Sequence, residues 1–168
     1  QANLSQSLGI FEADKNIYTA IKKQHGINEA VLNAVDNLDV IPSSLDLTGA
    51  EIELSATIGR EYILKALLDR VRGNYDFILI DCPPSLGLLT ANAFTAADFI
   101  LIPLQAEYLA LQGLNKLMEV VEIIQNGINK DLRVAGVFIT QFDNRKVLNR
   151  NVLETISATF KSQVFKTV

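Results

Sequence analysis

The chain has little of what marks several protein classes. It carries one cysteine, Cys82, in 168 residues, which excludes an internal disulfide and fits a reducing compartment. With a single histidine, His25, that cysteine cannot build a structural zinc site. Cys82 reads as a small buried apolar residue rather than a reactive thiol, and His25, before Gly26, as a helix-end residue. No apolar run is long enough to cross a membrane and no stretch has the make-up of a signal peptide, so the cytoplasm is the expected compartment. The net charge is −4 with no long like-charge run, so any contact with DNA would need a local basic patch. Repeats, low-complexity segments and linkers are absent, and no G-x-x-x-x-G-K-[ST] occurs.

What is present is a 49% hydrophobic chain of a length that suits one domain with a sizeable core. It is organised around Tyr75 to Pro103. Two four-residue apolar runs, Phe77 to Ile80 and Phe99 to Ile102, bracket a short helical segment. Neither alternates polar with apolar, which predicts strands buried on both faces of a parallel sheet. The first ends on Asp81, and the second is expected to close at Pro103. Open α/β sheets bind ligands beyond the carboxyl ends of their strands, and a carboxylate there can hold Mg²⁺ beside a nucleotide phosphate. An aspartate that merely starts a turn gives the same bare pattern.

Around this centre the reading is α/β. Asn16 is expected to cap a helix from Ile17 to about Gln24, and Asn28 a second one through Val35. Leu38 to Pro42 reads as a strand. Thr48-x-x-Glu51 fits a capping box, followed by an apolar stripe through Leu54, Ile58, Tyr62, Ile63, Leu67 and Val71. Leu88 to Ala97 reads as a helix. So does Leu109 to Asn126, with Leu114, Met118 and Val121 inward and Gln112, Lys116 and Glu122 on the wet face. Val134 to Thr140 is a strand, Asn149 or Asn151 a helix cap, and Val164 to Val168 the start of a last strand.

Longer motifs sharpen this. D-C-P-P-S-L-G-L-L-T from Asp81, A-N-A-F-T-A-A-D from Ala91, I-P-L-Q-A-E-Y-L-A-L-Q-G-L from Ile102 and T-Q-F-D-N-R from Thr140 occur in order, with L-D-V-I-P-S and L-T-G-A-E-I-E-L upstream and V-F-K-T-V at the end. Nearly the whole chain resembles the ParA/Soj/MinD family of partition ATPases, in its Soj-type branch. The resemblance implies an α/β fold of the deviant-Walker P-loop type, with a mostly parallel sheet flanked by helices on both faces. It also implies that residues 1–168 are a single-domain fragment, begun downstream of the phosphate loop and catalytic aspartate and lacking the C-terminal helix.

By resemblance, ATP and Mg²⁺ are the expected cofactors of the intact protein, and the fragment alone is expected to be inactive. Asp81 would hold the magnesium through water, and Asp81, Pro84 and Gln141 would border the nucleotide. Glu107 would meet a partner's lysine in an ATP-dependent homodimer. Arg145, Lys146, Arg150 and Lys161 would contact non-specific DNA, together with Lys166. Glu122 lies where Soj-like relatives carry a basic contact. The expected partner is a ParB-type centromere-binding protein, with the protein at the nucleoid and no membrane attachment. Ordinary readings stand beside these: Gln141 as a solvated loop residue, Glu107 as a rim charge, each cation as part of a solvated helix face. The function implied is ATP-dependent partition of chromosome or plasmid DNA. The alternatives are a MinD-like positioning ATPase and a non-catalytic interaction fragment.

Overall fold

The computed structural model describes residues 2–166, without the side chains of Tyr108 and Leu109. The chain divides into two compact units, Gln1–Ala96 and Ala97–Val168.

The first unit opens with a five-residue helix, α1 (Asn3–Ser7), that the sequence did not announce. Asn16 then caps α2 (Ile17–Ile21): its Oδ1 accepts from the Thr19 amide at 3.1 Å, and the Thr19 hydroxyl accepts from the Asn16 amide at 3.0 Å. His25 follows this helix, with one ring nitrogen 2.6 Å from the Thr19 hydroxyl and the other 2.9 Å from the Gly26 carbonyl.

The helix expected from Asn28 is instead a 3-10 turn, Ile27–Ala30, followed by a strand. β1 (Leu32–Val35) pairs antiparallel with β2 (Leu38–Val40) across Asp36-Asn37, where Asn37 takes the left-handed backbone (φ 61°) that Asn tolerates. Across this hairpin Asn33 donates to Asp39 at 3.0 Å, and Tyr75 donates its phenol to the other Asp39 oxygen at 2.8 Å.

The stripe after Thr48 is also broken up. α3 (Leu47–Leu54) is separated by Gly59 (φ 70°) and a 3-10 turn from α4 (Ile63–Leu68). Ile58 is fully exposed rather than inward. Glu51 closes no capping box; its carboxylate reaches the start of α5 (Leu88–Ala96), where it accepts from the Leu89 amide at 3.1 Å. Gly87 leaves room for it, since a Cβ there would stand 2.9 Å from the Glu51 Cδ. Asn92, buried on α5, returns the connection: its Oδ1 accepts from the Leu64 amide at 3.0 Å and its Nδ2 donates to the Arg60 carbonyl at 2.8 Å.

The run Phe77 to Ile80 joins no ladder among the described residues. Phe77 and Leu79 stand 87% and 84% exposed, so the expected buried strand is not formed. A segment becomes a stable strand only when neighbouring strands take up its amides and carbonyls, and among the described residues no strand does so here.

The second unit holds the parallel ladder. β3 (Phe99–Gln105) pairs with β4 (Arg133–Thr140), in register from Phe99 with Arg133 to Gln105 with Thr140, with one irregularity after Ile100. α6 (Tyr108–Gly127) makes the crossover. β3 runs through Pro103 instead of closing there. Among described residues its only partner is β4, and a strand with one open side accommodates a proline. Its burial alternates: Ile100, Ile102 and Leu104 are inside, whereas Phe99 and Leu101 are 63% and 50% exposed, so this run is buried on one face, not on both as expected.

α6 follows its sequence pattern. Leu114, Val121 and Ile124 are buried, and Gln112, Asn115, Lys116, Glu119 and Glu122 are exposed. α7 (Val147–Phe160) buries Val152 and Ile156. It starts ahead of both predicted caps, so Asn149 and Asn151 lie within the helix. Val164 bridges Val137 in parallel and the Phe165 amide donates to the Val137 carbonyl at 2.9 Å, the first step of the expected last strand; Thr167 and Val168 lie outside the described residues.

Candidate functional site

Asp81 and Pro84 belong to the first unit. Two prolines, Pro83 and Pro84, keep the exit from Asp81 extended, because a residue before proline avoids the helical region. Asp81 is exposed and has no hydrogen-bond or ion-pair partner among the described residues. Cys82 is exposed as well, not buried as its residue type suggested. Crowding of its sulfur, and then the Asp81 charge beside it, push its thiol up, away from thiolate reactivity.

No cluster of three or more metal-ligating side chains occurs among the described residues. Magnesium takes one or two carboxylates and fills its remaining positions with water and phosphate oxygens. Asp81, unpaired at the end of an apolar segment, fits such a role.

Glu107, Gln141 and the four cations belong to the second unit. Glu107 is exposed and sits just ahead of α6 in an extended conformation, with no side-chain cap bond. Gln141 leaves β4 with a left-handed backbone, φ 53°, at a cost of about 1–2 kcal/mol for a residue with a Cβ. Backbone strain of this kind collects where a chain must present a group.

Two residues later Asp143 accepts from the Arg145 Nε at 3.0 Å and, on its other oxygen, from an Arg145 terminal nitrogen at 3.0 Å. The Arg145 side-chain bonds, and then its backbone N–H, hold the Asp143 carboxyl below the usual range. The loops leaving β3 and β4 are tied together by a residue that the sequence suggested only as a cap. Asn149, buried, donates from Nδ2 to the Ala106 carbonyl at 2.7 Å and accepts on Oδ1 from the Asp143 amide at 3.0 Å. The signal for this role was available only as an Asn, a weak helix former, three residues into an apolar-patterned helix.

The four cations do not form one patch. Arg145, Lys146 and Arg150 gather at the start of α7, with Arg150 donating to the Asn144 carbonyl at 2.6 Å. Lys161 lies at the other end of α7, about 16 Å from Arg150 along the axis at the usual helical rise. Glu122 is exposed on α6.

Residues 1–134 match the family model described as "AAA domain". The chain is 46% identical to the sporulation initiation inhibitor protein Soj of Bacillus subtilis, covering 100% of this chain and 68% of that protein. It is 42% identical to the chromosome partitioning protein ParA of Myxococcus xanthus, covering 100% of this chain and 60% of that one. The chain thus spans roughly two thirds of the length of these curated relatives. Among solved structures, cobyrinic acid a,c-diamide synthase from Mycobacterium smegmatis with bound ADP and magnesium matches at a TM-score of 0.88 and 33% identity, over 96% of this chain and 66% of that one.

Proposed function

Because the chain belongs to the Soj/ParA family of chromosome-partitioning ATPases, we propose that it is the Walker B and dimer-facing part of an ATPase that partitions chromosome or plasmid DNA. The single observation that carries this reading is Asp81. It is a carboxylate left exposed and unpaired at the end of an apolar segment, inside D-C-P-P-S-L-G. A solved neighbour with bound ADP and magnesium supports a nucleotide and that cation as the ligands.

Magnesium, when bound, supplies positive charge to the phosphate oxygens. Asp81 anchors that charge, and Pro83 and Pro84 fix the direction in which the carboxylate is presented. Gln141, strained at the end of β4, borders the nucleotide, and Glu107 offers a carboxylate to a second copy of the chain. DNA contacts run through the Arg145, Lys146 and Arg150 cluster and separately through Lys161. A ParB-type protein is the partner, and the protein works at the nucleoid in the cytoplasm.

The test is Asp81→Ala in the full-length protein. Magnesium-dependent ATP turnover is expected to disappear while circular dichroism and the unfolding midpoint stay put, because an exposed, unpaired carboxylate contributes little to folding. Turnover equal to that of the native protein would remove Asp81 from the metal site and overturn the reading.

A further inference from the structure

We propose that Asn149 is a positioning residue: its buried carboxamide locks the loop after β3 to the loop after β4, so that Glu107 and Gln141 are presented together. The functional half of this rests on the dimer and nucleotide roles given to those two residues above. The structural half rests on two hydrogen bonds. Asn149 Nδ2 donates to the Ala106 carbonyl at 2.7 Å, and Ala106, 2% exposed, directly precedes Glu107. Asn149 Oδ1 accepts from the Asp143 amide at 3.0 Å, two residues past Gln141.

Asp143 is itself clamped by Arg145 through both carboxylate oxygens, so the loop that Asn149 grips has little slack. Both loops leave the carboxyl ends of parallel strands, where α/β sheets carry their ligand sites. The two bonds require a donor and an acceptor on one short side chain. A carboxamide supplies both without charge, from two atoms held in one plane. A shift of one loop, when a nucleotide or a second subunit arrives, therefore strains the other through a single rigid amide.

The test separates the two bonds by amide hydrogen exchange. In Asn149→Ala both are gone, and the Asp143 amide is expected to exchange about tenfold faster or more, the scale of a lost buried hydrogen bond. In Asn149→Asp, at a pH high enough to ionise the buried carboxyl, the side chain still accepts from Asp143 but cannot donate to Ala106. The Asp143 amide should then stay slow, while the Glu107 amide, bonded to the Gln105 carbonyl at 2.8 Å, speeds up. ATP-dependent dimerisation of the full-length protein should weaken in both variants, by about tenfold for one lost buried bond.

If the two amides respond alike in both variants, in step with the unfolding midpoint, Asn149 is only a packing residue and the proposal falls. It falls equally if neither amide moves, or if dimerisation is unchanged while exchange shifts. A native protein that never dimerises with ATP would overturn the proposed function instead, and the exchange pattern would still decide the lock.

Discussion

Alanine at Gly87 should act through a residue 36 positions earlier in the chain. The Glu51 carboxylate lies over the first turn of α5, bonded to the Leu89 amide at 3.1 Å. A methyl group on Gly87 would stand 2.9 Å from the Glu51 Cδ and would crowd both of its oxygens. The obstruction is the far end of a flexible side chain, so Glu51 swings away while the backbone holds. What is lost is a helix cap, worth about 0.5–2 kcal/mol, and a negative charge at a helix N-terminus, worth about 0.3–1 kcal/mol. Glu51→Ala should therefore destabilise by about 1–2 kcal/mol. Gly87→Ala loses the same interaction but regains about 0.4–1 kcal/mol from a less flexible unfolded chain.

The double variant is decisive. Once Glu51 is alanine, the Gly87 methyl has nothing to displace, so adding it should be neutral or stabilising. Urea unfolding followed by circular dichroism on the four members of the cycle should give a coupling of about 1 kcal/mol or more. Strictly additive effects would show that the carboxylate does not cap α5, and would refute the reasoning.

Two further outcomes follow from the second unit. Because Arg145 depresses the Asp143 carboxyl, their interaction stabilises the fold above the ordinary carboxylate range and fades as pH falls through the depressed value. Arg145→Ala should bring the Asp143 titration, followed by NMR, back up towards that range, and an unmoved titration would show that the pair does not hold the charge. If α7 touches DNA at both ends, Arg150→Glu and Lys161→Glu should each weaken binding and each lower its salt slope by about one unit per lost phosphate contact; slopes equal to the native one would remove both residues from the interface.

Much of this was legible in the sequence where the determinants are local. The Asn16 cap is a short-range contact with Thr19, and α6 shows its wet face residue by residue because a 3.6-residue period needs no knowledge of neighbours. Where neighbours decide, the pattern misled. Phe77 to Ile80 and Phe99 to Ile102 look alike as runs, yet one lacks a ladder and the other pairs along its length. Pro103 looked like a stop because proline cannot donate, but a strand with one open side tolerates it. Thr48 and Glu51 had the spacing of a capping box, and a tertiary contact with α5 took the glutamate instead. Among the candidate site residues, Asp81 stands out in the sequence because it sits in a motif. Asn149 does not, since its two partners come from loops 43 residues and six residues away.

The two ladders also set a clock. Val35 and Leu38 face each other across a two-residue turn, so β1 and β2 can close in about 1–10 μs once both have been made. β3 has no such local partner: its mate follows a 20-residue helix, with Phe99 waiting for Arg133. At a synthesis rate of about 5–20 residues per second, that wait lasts about 2–7 s on the ribosome. Throughout it, β3 lacks the strand that will take up its backbone amides and carbonyls. The period between translation of Gln105 and of Thr140 is when a nascent chain of this kind most needs a chaperone at its side.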